Sequence, residues 1–230
     1  NILKQVYKRI HILHNIHIKH KYLLKKSSYS MEGEDLEIIK FTSNVKKGFY
    51  VDAGCYHPLH LNNTYLLYKR NWSGINIDLS EFSIDLFNHM RPNDINIQTA
   101  ISNLDGEVIF YHQKKLSQLS TIKKDIAENR MQGLIKEKKI QSKRLTTILD
   151  NSKFNKRKID FLNIDLEGAD LDALKSLDFK IYRPKVICVE ITEQNIKNSE
   201  TFKFLHDLNY EKKWSSKANI NHIFIDRYLF

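Results

Sequence analysis

"FYVDAGCYHPLHLNNTYLLYKRNWSGINIDLS", residues 49–80, decides the fold. Phe49-Tyr50-Val51 reads as a buried strand that turns sharply through Asp52-Ala53-Gly54. Residues 62–71 read as a helix, with Asn62 or Asn63 placed to cap it. Residues 73–80 read as a second strand that ends in Asp78. A strand that ends in an acid and a glycine usually ends at a ligand. Here a single glycine is followed by Cys55-Tyr56-His57-Pro58, where a glycine-rich loop would continue.

The same alternation extends outward from this unit. "EFSIDLFNHM" (81–90) is a second helix, and "INIQTAIS" (95–102) is a third strand. Asp105-Gly106 is a turn signal before "EVIFYH", so a hairpin is expected there. After "RLTTILDNSKF" (144–154), a short helix, "IDFLNIDLEG" (159–168) is a fourth strand ending in Asp165. "PKVICVEI" (184–191) is a fifth, ending at Glu190. A helix over 200–210 and a last strand "NHIFID" (221–226) close the chain. Strands alternating with helices argue for one mostly parallel sheet covered on both faces.

Between these elements, residues 113–147 hold ten Lys/Arg against three acids, with a loose apolar pattern. They read as an inserted basic helical flap and connector. Lys123, Lys124, Arg130, Lys143 and Arg144 are its pool for an anionic acceptor, or simply a solvated basic surface.

The 230 residues suit one sizeable domain. The net charge of +10 suits an anionic partner, whether nucleic acid, a membrane surface or a phosphorylated small molecule, and suits plain lysine-rich solubility as well. Cys55 and Cys188 have no CxxC spacing and read as reduced structural thiols of a cytoplasmic protein. No run reaches the roughly 18 apolar residues of a membrane span.

Residues 1–27 form a separate N-terminal extension, and 28–230 the main domain. Residues 1–26 carry seven Lys/Arg and no acid. Ile2, Val6, Ile10, Leu13 and Ile16 recur at helical spacing. A helix of this kind lies on an anionic membrane, peripherally at its inner face, or packs its stripe on the main domain. The second is the expectation taken forward. His11, His14, His17 and His20 step three apart and slide around the helix, so a pair could share a metal but all four could not.

In a sheet of this kind ligands bind beyond the carboxyl ends of the strands, at the switch in strand order. Asp52, Gly54 and His57 fall there, with Asp78, Asp165, Glu167 and Glu190. Asp78 is placed for a ribose diol, in NAD or in S-adenosylmethionine. A pyrophosphate needs several glycines for backbone approach, and the loop has one. A phosphate-free cofactor with an amino group and a sulfonium needs fewer and welcomes the row of acids, so S-adenosylmethionine is preferred to NAD.

At this point "GEDL" (33–36), the 49–80 stretch and "IDFLNIDLEGADLDALKSLDF…PKVICVEI" (159–191) together resemble the FkbM-type S-adenosylmethionine-dependent methyltransferases. The resemblance implies a Rossmann-like, seven-stranded class I methyltransferase sheet, mostly parallel with an antiparallel last strand and helices on both faces. It implies O-methyl transfer to a hydroxyl of a sugar, nucleotide-linked sugar or glycan precursor, with S-adenosylhomocysteine as product. Asp52, Ala53 and Gly54 would line the methionine end, Asp78 and Leu79 the adenosyl end, and Glu34 and Asp35 would close over the cofactor or cap a helix.

Asp165 and His57 are the candidate bases; Glu167 and Glu190 would orient the acceptor. No metal is expected, with magnesium on Asp165, Glu167 and Glu190 as the minority reading. A nucleic-acid methyltransferase is disfavoured, because the fourth strand ends in "NIDLEG" and no Asn/Asp-Pro-Pro-aromatic motif is present. A non-catalytic cofactor-binding scaffold that docks through residues 1–26 is the alternative from another class.

Overall fold

A computed structural model describes residues 2–228. The strands are β1 (Phe49–Ala53), β2 (Ser73–Asp78), β3 (Ile95–Gln98), β4 (Ala100–Ile101), β5 (Gly106–His112), β6 (Lys136–Lys143), β7 (Phe161–Ile164), β8 (Val186–Glu190), β9 (Tyr210–Ser215) and β10 (Asn221–Asp226). The α-helices are α1 (Ile2–His14), α2 (Glu34–Phe41), α3 (Tyr65–Lys69), α4 (Glu81–Met90), α5 (Lys124–Arg130), α6 (Leu145–Asp150), α7 (Asp170–Lys175), α8 (Phe179–Tyr182) and α9 (Glu200–Asp207).

Seven strands form the main sheet in the order β3-β2-β1-β7-β8-β10-β9. β1 is parallel to both β2 and β7, and β10 runs antiparallel to β8 and β9. All five residues of β1 are buried, as a parallel strand covered on both faces requires. Alternation along the strands sorts the core onto the two faces. Val51, Ile75, Leu162 and Ile187 pack with α6, α7 and α9 through Ile148, Leu174 and Leu205. Tyr50, Phe161, Val186 and Ile223 pack with α2 and α3 through Ile38 and Leu67. Strand order reverses between β1 and β7, which opens a crevice beyond Ala53 and Ile164.

Several expectations change. The stretch read as one third strand splits at Thr99: β3 belongs to the main sheet and β4 to a second, three-stranded sheet ordered β4-β6-β5. The expected hairpin across Asp105-Gly106 does not form, because β6 lies between β4 and β5 and pairs with both. The insertion at 113–147 is therefore not simply helical: it holds α5 and all of β6. The helix expected over 200–210 ends at Asp207, and Tyr210 opens β9, an edge strand with two exposed lysines, Lys212 and Lys213, a composition that suits an edge and hides its period. Asn62 does not cap α3. Its Oδ1 accepts from Thr64 N (3.0 Å) and shapes the turn before the helix.

The N-terminal extension is helical through Lys25, with a π-helical turn (Asn15–Lys19) and a 3₁₀ turn (Lys21–Lys25) after α1. The expected packing of its apolar stripe fails. Ile16 is buried, but Ile2, Val6, Ile10 and Leu13 face solvent, and α1 has no buried residue.

Candidate active site

The crevice beyond β1 and β7 deepens into a cleft of about 1200 Å³, counted with its open mouth. Asp52, Gly54, Asp78, Leu79, Asp165, Glu167 and Glu190 all line it. The five carboxylates grouped by strand position are thus brought into one cavity.

Gly54 sits where the chain must turn against β7. Its φ is +83°, and a Cβ there would stand 1.8 Å from the carbonyl oxygen of Asp165. The glycine is required twice, by backbone conformation and by close approach. Asp52, just before it, is held on three sides: Thr64 Oγ1 (2.6 Å) and Asn62 Nδ2 (3.3 Å) donate to one oxygen, and Asn163 Nδ2 (2.9 Å) to the other. Burial raises its pKa against these hydrogen bonds.

Asp78 ends β2. Its oxygens accept from the backbone N–H groups of Tyr56 (2.8 Å) and Ser80 (2.7 Å). Burial, with the Asp52 charge adding to it, pushes its pKa to about 6. A carboxylate clamped by two amides, with lone pairs left toward the cleft, fits a vicinal diol. The loop that carries Tyr56 has one glycine and no cradle for a pyrophosphate. This donor set fits S-adenosylmethionine.

At the other end, Asp165, Glu167 and Glu190 bring carboxylate oxygens within 4.8 Å of one another. Glu167 and Gly168 both have positive φ. Asp170 accepts from Leu166 N and Gly168 N (3.1 Å each), which fixes that turn. Desolvation, reinforced by Glu190, holds the Asp165 carboxyl well above its usual range although it faces the cleft. Burial and Glu167 push Glu190 to about 7. Glu167 is raised by burial and restrained by Arg130, which pairs with it at 2.5 Å.

Several expected residues stand elsewhere. His57 is fully buried outside the cleft. Its Nδ1 accepts from Leu59 N (3.0 Å) and His60 N (2.9 Å), and its Nε2 donates to Asn15 Oδ1 (2.8 Å). Burial and the neighbouring His20 lower its pKa to about 2, so it shapes the loop and is no general base. Ala53 is buried in the sheet. Asp35 accepts from Tyr29 N (2.7 Å) and from the hydroxyls of Ser28 and Ser30, as a local turn brace. Glu34 lies behind the wall and accepts from Asn221 Nδ2 (2.7 Å), so it acts on the cleft only through Asn221. The basic pool is largely spent: Lys123 pairs with Asp172, Lys124 with Glu128, Arg130 with Glu167 and Arg144 with Asp105.

Other lining residues carried no signal in sequence. Asn63 donates to Asn163 Oδ1 (2.9 Å), and Asn163 in turn donates to Asp52, a relay across the floor of the cleft. Ser117, Gln118, Ser120 and Ile122 come from the insertion and roof the cavity. Only the fold brings these residues to the cleft; no periodicity marks them.

The strand order, the single glycine after β1 and the clamped acid after β2 define a Rossmann-like, S-adenosylmethionine-dependent methyltransferase. Residues 52–212 match the Methyltransferase FkbM domain, and the chain belongs to that family. It matches none of the curated proteins. Among solved structures it is similar to a TehB-like S-adenosylmethionine-dependent methyltransferase from Corynebacterium glutamicum, at 12% identity over 95% of this chain and 100% of that one (TM-score 0.46). It is also similar to an O-methyltransferase from Bacillus cereus in complex with S-adenosylhomocysteine, at 10% identity over 93% and 89% (TM-score 0.43). A third is a 1,6-didemethyltoxoflavin-N1-methyltransferase from Burkholderia thailandensis, at 11% identity over 97% and 87% (TM-score 0.43).

Proposed function

We propose that this methyltransferase transfers its methyl group to a hydroxyl of a sugar or glycan precursor. The observation that carries this reading is the cluster of Asp165, Glu167 and Glu190 at the end of the cleft away from Asp78. Several carboxylates side by side can accept hydrogen bonds from neighbouring hydroxyls of one ring. The acid-lined cleft disfavours a phosphate at this point, so in a nucleotide-linked sugar the phosphates would lie outside it.

The bound cofactor supplies an electrophilic methyl on sulfonium. The chain supplies the rest. Asp78 would hold the ribose hydroxyls, while Asp52 and Gly54 shape the methionine end. Glu190, with a pKa of about 7, is poised to take the acceptor's hydroxyl proton as the oxygen attacks. Asp165, whose carboxyl is raised by desolvation and by Glu190, orients the hydroxyl. A cytoplasmic location belongs to the same proposal, with residues 1–26 at the inner face of a membrane.

The test is calorimetric titration with S-adenosylhomocysteine, with NAD as control, followed by turnover on a panel of sugars and nucleotide sugars. Asp78→Ala is expected to weaken S-adenosylhomocysteine by about a hundredfold, the loss of two hydrogen bonds to a charged acceptor. Glu190→Gln is expected to keep that affinity and to lower kcat. Tight binding in Asp78→Ala would sink the site assignment. A magnesium ion is the second reading of the three carboxylates, favoured by their spacing. Turnover abolished by chelator and restored by magnesium would establish it.

A further inference from the structure

α1 is turned the wrong way round for a helix of a water-soluble domain. Three- and four-residue steps gather Ile2, Val6, Ile10 and Leu13 on one arc. Their exposures are 79%, 50%, 59% and 38%. The opposite side meets the protein, and it is the polar side. Lys8 pairs with Asp85 of α4 at 2.7 Å, and the His11 ring stacks on Phe82 at 4.9 Å. Ile12 and Ile16 join the small cluster beneath. The charged face is spent on docking the helix, and the apolar face is presented outward.

A basic groove of about 1450 Å³, counted with its open mouth, adjoins this arc. Leu3 and Tyr7 form one wall, and Lys4, Lys114, Lys115 and Lys138 gather around it. Among the described residues none of these four lysines has an acidic partner within an ion-pair distance. Beyond α1, Ile18 and Tyr22 are exposed as well. Apolar side chains flanked by unpaired lysines match the headgroup boundary of an anionic bilayer. A second copy is a poor occupant, because face-to-face pairing would oppose two segments that each carry seven cations and no acid.

We propose that α1 and the lysines of this groove form a docking face for an anionic membrane. α1 lies in the plane of the interface with its apolar arc buried among the acyl chains, and Lys114, Lys115 and Lys138 contact lipid phosphates. The groove shares Leu79 and Ser120 with the cofactor cleft, so docking brings that edge of the cleft to the lipid surface. The acceptor is then met at a membrane.

The test is co-sedimentation of the full chain with vesicles of phosphatidylcholine and phosphatidylglycerol, against phosphatidylcholine alone. The expected result is pelleting with the anionic vesicles only, reduced by high salt. Val6→Asp with Ile10→Asp alters only exposed positions and is expected to weaken partitioning by at least about tenfold. Lys114→Glu with Lys115→Glu is expected to weaken it too, while S-adenosylhomocysteine affinity stays unchanged in both. That second readout keeps the proposal separate from the proposed function. A wild-type chain that stays in the supernatant, or a Val6→Asp/Ile10→Asp variant that pellets equally, overturns it. So does a wild-type dimer in sedimentation velocity that this variant converts to monomer without vesicle binding.

Discussion

A methyl group at residue 54 would stand 1.8 Å from the Asp165 carbonyl oxygen, on a backbone already at φ +83°. Neither the turn nor β7 can move without disturbing the carboxylates on both sides. Gly54→Ala therefore combines a left-handed backbone strain with a clash against main chain. A loss of about 2–4 kcal/mol in stability is expected, measured by denaturant unfolding, together with loss of S-adenosylhomocysteine binding. Wild-type stability would show that the β1–β7 junction relaxes freely. Asp78, Asp165 and Glu190 were legible at this scale because each ends an apolar strand, and strand ends in an open α/β sheet point at the ligand. His57 was not. Its burial depends on Asn15 and His20, which arrive from an extension about forty positions away, and local sequence carries no trace of that contact.

At the scale of elements, the insertion is a roof fastened to the loop after β7 and to α7. Arg130 pairs with Glu167 (2.5 Å), Lys123 with Asp172 (2.6 Å), and Thr121 Oγ1 donates to the Glu167 carbonyl (2.8 Å). The Arg130 side chain is about one-third exposed, so the pair adds little to global stability, under about 1 kcal/mol. Its work is local. Arg130→Ala is expected to shift the melting temperature by less than about 3 °C while S-adenosylhomocysteine dissociates several-fold faster. It also removes the cation that restrains Glu167 and Glu190, so the pH at which turnover rises moves upward. Unchanged dissociation would mean that the other two fastenings suffice. β1, β2, β5, β7, β8 and β10 were readable from their apolar runs, as was the stretch that holds β3 and β4. β6 and β9 were not. β6 reads "KEKKIQSK" and is mostly exposed, so it is held by main-chain pairing with β5 rather than by side-chain burial. A strand of that kind has no hydrophobic period to read.

Across the whole molecule, two sets of buried groups titrate in opposite senses. Asp78 (about 6), Glu190 (about 7), Asp165, Asp52, Glu167 and Asp170 are all raised by burial around one cleft. His57 (about 2), His20, His60 and His222 are lowered by burial. A raised carboxylate binds more protons folded than unfolded, so its contribution is fully present below the unfolded value near 4 and is lost as pH rises through the folded one. A lowered histidine binds fewer protons folded, so its contribution is present above about 6.5 and is lost as pH falls toward the folded value. Between about pH 4.5 and 6.5 the two sets oppose each other. Above that the histidines are neutral in both states, and Glu190, at about 7, still acts. The ligand-free chain is therefore expected to be most stable near about pH 6.5 and to lose stability toward pH 8. Calorimetric melting across a pH series checks this. Glu190→Gln should flatten the alkaline limb and leave most of the acid limb in place, because three of the four histidines that set it, His57, His20 and His60, pack between the N-terminal extension and the loop after β1. A melting temperature that climbs steadily through pH 8 would mean that the acids of the cleft are ionised in the ligand-free fold, and Glu190 would then have no poise near neutrality with which to act as a base.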